Sequence, residues 1–193
     1  MSARPETMPE NDVVELLRHQ HQEIRRLFAE VESSTGPERR DAFDRLRRFL
    51  AVHETAEEEV VHPLARRAVP GGEQMVADRL QEENEAKRIL QELERMDPLT
   101  DGFLLALTQL RDAVLTHADR EEREEFPHLE DAHGARQRQV MGLAVKAAEA
   151  MAPTHPHPGV ESAKANVLAG PYVAMMDRTR DVIRQALRRG SGG

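Results

Sequence analysis

The sequence predicts an all-α protein: an antiparallel, up-and-down four-helix bundle followed by a C-terminal helical extension. Three observations carry this. Apolar residues recur at three- and four-residue spacing in four long stretches, which is the period of one helix face. Short breaks containing Gly, Pro, Ser or Asp separate those stretches. The composition suits amphipathic helices, with 32% charged and 3% aromatic residues, no Trp and one Tyr. Packing therefore falls to Leu, Val, Ala and Met.

Residues 1–10 read as a loose lead. A first helix spans about 11–33, with Asn11 or Asp12 as its N-cap, and "STGP" at 34–37 ends it. A second runs from about 38 to "VPGG" at 69–72. A third covers about 73–96 and stops at Asp97-Pro98. A fourth starts at Thr100 or Asp101 and continues toward 130. Short breaks make neighbouring helices antiparallel, so helices one and two form one hairpin and helices three and four another. The bundle thus covers 11–130. The extension, 131–190, begins with a helix over 134–150. It then meets "APTHPHPG" at 152–159, whose three prolines bar a regular helix. A final amphipathic helix covers 172–189, and 191–193 is a disordered end.

Several function classes are disfavoured. The net charge of −8 offers no general basis for nucleic-acid binding. No apolar run approaches the ~20 residues that cross a bilayer, and the polar start "MSARPETMPEND" lacks a secretory signal. With no Cys there is neither disulfide nor thiolate ligand. The expectation is a soluble, cytoplasmic protein without nucleic-acid or membrane partners; the sequence carries no signal for oligomeric state.

The chemistry lies inside the apolar stripes. "HETAEEEVVHP" at 53–63 returns as "HADREEREEFP" at 117–127: His, then Glu four residues on, then Pro ten residues on. In helix two the core phase reads Phe43, Leu46, Leu50, His53, Glu57, Val60, Leu64. In helix four it reads Phe103, Leu107, Leu110, Val114, His117, Glu121, Glu124, His128, and in helix one Val14, Leu17, His21, Ile24, Phe28, Val31. A buried carboxylate or imidazole costs several kcal/mol unless paired or bound to a cation. Residues four apart project from one face about a turn apart and suit one ion or two neighbouring ions. Imidazole with carboxylate and no sulfur favours iron, manganese or zinc. Two carboxylates able to bridge suggest two ions.

Helix three should add a further polar residue from "LQEENEAKRILQEL". With Glu83 on the stripe its companions are Val76, Arg79, Ala86, Leu90 and Leu93. With Asn84 they become Ala77, Leu80, Lys87, Gln91 and Glu94. The first phase is more apolar and matches the pattern around His21, so Glu83 is the candidate.

His on helix one, HxxxE with a following Pro on helices two and four, and a polar residue on helix three together resemble the hemerythrin-like (HHE cation-binding) family. "LLRHQHQEIRRLF" is similar to that family's first helix, and the likeness covers about 11–130. The tail, with "HPHPG" and "LAGPYVAMMDRTRD", is similar to tails of longer bacterial members. The resemblance implies a non-haem di-iron centre, oxo- or hydroxo-bridged. It implies His21, His53, Glu57, His117 and Glu121 as ligands, with the two Glu bridging; manganese or zinc suits the same donors. The departure is Glu83, where the family normally has His. An added anionic ligand should favour ferric iron and lower the potential. The implied activity is oxidoreductive chemistry on dioxygen, hydrogen peroxide or nitric oxide, with peroxide decomposition foremost. A sensor or carrier without turnover, and a di-iron oxygenase acting on an organic substrate, stand beside it.

The remaining polar residues have plainer expectations. Glu124 and His128 belong near the bundle end, within reach of water. His62, opposite His53 in phase, and His19 and His133 belong on the surface. Glu58 and Glu59 are solvated. His155 and His157 lie in an irregular surface crossing, and Met141, Met151, Met175 and Met176 pack the extension.

Overall fold

The computed structural model describes residues 11–68 and 70–150. The expected lead, the Pro-rich crossing with His155 and His157, the last helix, and Met151, Met175 and Met176 lie outside the described residues. Among the described residues the chain is all-α, as the periodicity predicts. Helix α1 is Val13–Ser33 and α2 is Gly36–Ala56. A five-residue π-helical turn, Glu57–Val61, runs on into α3, His62–Ala68. Next come α4, Gly72–Leu93, and α5, Asp101–Arg120. A second π turn, Glu121–Glu125, leads into α6, Phe126–Ala132, and α7 is Ala135–Glu149.

Caps and turns account for the breaks. Asp12 is the N-cap of α1 and accepts from the Val14 amide at 3.1 Å. Thr100 does the same for α5, accepting from the Phe103 amide at 3.3 Å. Each satisfies a donor that the helix start leaves open. Between α3 and α4, Gly71 adopts φ +75°, a left-handed conformation that favours glycine. Its neighbour Gly72 lies so close to α3 that a Cβ there would meet the Ala65 carbonyl oxygen at 2.6 Å.

Helices α1 and α2 pair, as do α4 and α5, which builds the two expected hairpins. Two apolar clusters fill the interior. One is built around Ile24, Phe28, Leu46, Leu50, Leu90, Phe103, Leu107 and Leu110, with Phe43 and Phe103 edge to face at 5.0 Å. The other holds Val14, Leu17, Val61, Ala65, Val76, Phe126 and Leu129, and includes Met141, Val145 and Ala148 of α7. Helix α7 packs on α1 and α2. Its Arg138 reaches Asp12 at 2.7 Å, and Gly142 approaches so closely that a Cβ there would lie 2.0 Å from the Asn11 carbonyl oxygen. The polar layer sits between the two clusters.

The π turns explain one departure from the expected stripe. In each, a helical amide bonds back five residues rather than four: His62 N–H to the Glu57 carbonyl, and Phe126 N–H to the Glu121 carbonyl. Pro63 and Pro127 follow at once. Proline has no N–H for the carbonyl four residues back and its ring crowds that carbonyl, so a widened turn relieves both problems. One added residue per turn rotates everything downstream by about 100°. Hence Val61, His62 and Ala65 are buried while Leu64 is only partly so. Likewise Glu125 and Leu129 are buried, and Glu124 and His128 are exposed near water as expected.

Candidate metal centre

Four helices deliver the site. His21 comes from the middle of α1, between Leu17 and Ile24. His53 is on the last turn of α2, with Glu57 opening the first π turn. His117 and Glu121 repeat that arrangement at the end of α5. Glu83 comes from α4. All six are buried, none more than 8% exposed.

The geometry is close to symmetric. His53 Nε2 lies 3.4 Å from Glu57 Oε2, and His117 Nε2 lies 3.4 Å from Glu121 Oε1. The other carboxylate oxygens turn toward the third histidine: His21 Nε2 is 3.3 Å from Glu121 Oε2 and 3.9 Å from Glu57 Oε1. Two ligands of one cation, each ~2.1 Å from it, lie ~3.0–3.4 Å apart at octahedral or tetrahedral angles. Three of the four spacings fit that relation, and the His21–Glu57 distance of 3.9 Å is wider. Ligand atoms of His21, His53 and Glu57, and likewise of Glu57, His117 and Glu121, lie within 4.8 Å of one another. Glu57 is common to both groups.

Each of the three histidines is held from behind. Nδ1 of His53 bonds to Gln20 Oε1 at 2.7 Å, that of His21 to Glu122 at 2.9 Å, and that of His117 to Glu82 at 3.0 Å. An acceptor at Nδ1 puts the proton there and leaves the Nε2 lone pair aimed inward, as a metal-bound imidazole requires. The supports are themselves fixed. Gln20 donates to Glu149 of α7, so its carbonyl oxygen is the end that faces His53. Arg25 holds Glu122, and Arg79 and Arg120 hold Glu82. Facing the centre, His21 Nε2, His117 Nε2 and both oxygens of Glu57 and of Glu121 are buried with no hydrogen-bond partner. Buried acceptors in this number require positive charge between them.

The protonation pattern reports the same deficit. Burial works against a charged His21, but the Glu121 and Glu57 carboxylates beside it win and raise its pKa to about 10. Burial pushes the Glu57 carboxyl up to about 8, aided by the Glu121 charge. His53 is driven down to about 3 by burial and by the charge on His21. The cluster holds protons where its charge is not otherwise balanced.

Glu83 is inward, as its phase predicts, and borders the second ligand group. Its Oε1 lies 3.9 Å from His117 Nε2 but only 2.6 Å from His62 Nε2, and its Oε2 is 3.6 Å from Lys87 Nζ. Two expectations are corrected here. His62 is 2% exposed, not on the surface, because the π turn rotates it inward. Glu58 is not solvated: Lys87, itself buried on α4, pairs with Glu58 and approaches Glu54 at 3.6 Å. The sequence signals that reveal these residues are Pro63 and Pro127, which mark the phase slip, and Lys87 four residues after Glu83.

A small enclosed cavity lies between His53, Glu83 and His117, walled by Ile24, Leu50, Ala86 and Val114, with space for roughly one water-sized molecule. No helix among the described residues is long and apolar enough to cross a membrane.

A helical bundle with an inward ring of His and Glu on four helices is the architecture of a cation-binding protein. The hemerythrin HHE cation-binding domain profile matches residues 12–151, and the chain belongs to that family. A solved hemerythrin HHE cation-binding domain-containing protein from Mycobacterium kansasii shares the fold: TM-score 0.64, 19% identity, over 87% of this chain and 98% of that one. A protein of Nostoc sp. strain PCC 7120 described as a DNA nickase is 27% identical over 139 residues, 72% of this chain. The chain spans only 39% of that relative's length.

Proposed function

We propose that His21, His53, Glu57, His117 and Glu121, with Glu83, would hold two iron ions, and that the centre reacts with a small oxidant. Supporting this reading above all are the inward, unpartnered Nε2 atoms and carboxylate oxygens, each histidine braced at Nδ1 from behind. When bound, the irons would supply one-electron redox chemistry toward dioxygen, hydrogen peroxide or nitric oxide.

The chain's own groups do the rest. Gln20, Glu122 and Glu82 hold the imidazoles in one tautomer. The apolar clusters on either side keep water from the layer. Glu83 adds negative charge beside His117, while Lys87 limits how far that charge is felt. The cavity at His53, Glu83 and His117 admits a molecule of about water's size, which favours peroxide or a diatomic over an organic substrate. Among these we favour peroxide decomposition in the cytoplasm. The chain covers 39% of the Nostoc protein, so the nicking activity in that protein's description does not carry over to this chain.

Elemental analysis of full-length protein grown with iron, and purified without an affinity-column metal, tests the reading. About two irons per chain, followed by steady peroxide consumption, is the expected result. Two irons without turnover would mark a carrier or sensor. No metal in a folded protein would end the proposal.

A further inference from the structure

Below the centre a second tier of donors exceeds what two ions need. Glu125 is fully buried, and neither of its oxygens has a hydrogen-bond partner. Nδ1 of His62 lies 3.5 Å from its Oε1. His62 is buried too, and that Nδ1 is also without a hydrogen-bond partner. The opposite ring nitrogen, Nε2, is engaged by Glu83 at 2.6 Å. A neutral imidazole carries one N–H. With Nε2 engaged by Glu83, Nδ1 and the Glu125 carboxylate face each other with no hydrogen bond between them. Positive charge is needed there, from a second proton on His62 or from a metal cation.

We infer that His62, Glu125 and Glu121 form a third cation site, adjoining the two-ion centre and sharing Glu121 with it. Ligand atoms of these three residues lie within 4.8 Å of one another. Ligands on opposite sides of one ion at ~2.0–2.2 Å are ~4.0–4.4 Å apart. Closing on a cation therefore draws these side chains inward from that limit. One nitrogen and two carboxylates suit a hard or borderline divalent ion, iron(II) or manganese(II), rather than copper(I). Both π turns are needed to build the site. The first carries His62 inward and the second carries Glu125 inward, so it is a product of the same two Pro-linked phase slips.

The inference rests on the two-ion reading, because Glu121 belongs to both. Equilibrium dialysis of the full chain against manganese(II), with elemental analysis, separates them. The expected result is three ions per chain in the wild type and two in Glu125→Gln and in His62→Asn, each checked for unchanged helical circular dichroism. Glu125→Gln replaces a buried charge with a neutral group of the same shape, so it tests the site without a cavity. Two ions in the wild type overturn the third site and leave the two-ion centre standing, with a proton on His62 filling the gap. Three ions in the wild type and in both variants also overturn it, since the extra ion then binds elsewhere. Fewer than two in the wild type defeat both readings.

Discussion

Gln20 accepts a hydrogen bond from Nδ1 of His53 across 2.7 Å, and the amide end of the same side chain donates to Glu149. A residue of the last described helix thereby sets the tautomer of an imidazole at the bundle centre. Replacing Gln20 with Ala removes the acceptor and frees the ring. Metal affinity should fall by about 10–100-fold, read by competition with a chelator. Glu149→Ala should weaken binding in the same direction but less, since Gln20 remains.

Lys87 lies buried among Glu54, Glu58 and Glu83. Lys87→Met keeps the volume and removes the only lysine on the described site. Three carboxylates then lack their shared counter-charge, and stability should fall by about 3–5 kcal/mol. Urea unfolding at neutral pH measures this. A loss below about 1 kcal/mol would show that those carboxylates are balanced by other groups.

Glu83→His places a neutral donor where an anion now stands, 3.9 Å from His117. The reduction potential of the iron-loaded protein should rise. An unchanged or lower potential would show that Glu83 does not act on the irons.

Chelation should loosen the fold. The carboxyl oxygens of Glu57 and Glu121 face the centre without hydrogen-bond partners, so a cation bound there stabilises the native state. At a free-ion concentration about 100-fold above Kd the gain is about 2.7 kcal/mol per site. The melting temperature should drop with EDTA and recover when the metal is restored.

Gly142→Ala forces a Cβ to within 2.0 Å of the Asn11 carbonyl oxygen. Helix α7 must then shift from α1, at about 1–3 kcal/mol. Thermal unfolding should register the loss.

Much of this was legible from residues alone. His53, Glu57, His117 and Glu121 interrupt otherwise apolar stripes, and a regular 3.6-residue period places them inward without knowledge of any neighbour. Glu83 followed from the same test on α4, and the caps Asp12 and Thr100 from local chemistry. His62 and Glu125 did not follow, because one period was carried through Pro63 and Pro127, where the helix takes an extra residue. Lys87 falls in the polar phase of its helix, yet it is buried because Glu54 of α2 and Glu58 of the first π turn meet it there.

The sequence by itself determined which helices form, which face of each is apolar, and that His and Glu lie within those faces. These are properties of spacing along one chain segment, settled by a helix's own geometry. Only the tertiary structure decided which nitrogen of each histidine faces inward, that Glu149 of α7 supports His53 through Gln20, and that His62 stands between Glu83 and Glu125. Those outcomes depend on groups from different helices meeting at hydrogen-bond distance. No period within a single helix encodes the position of its neighbour.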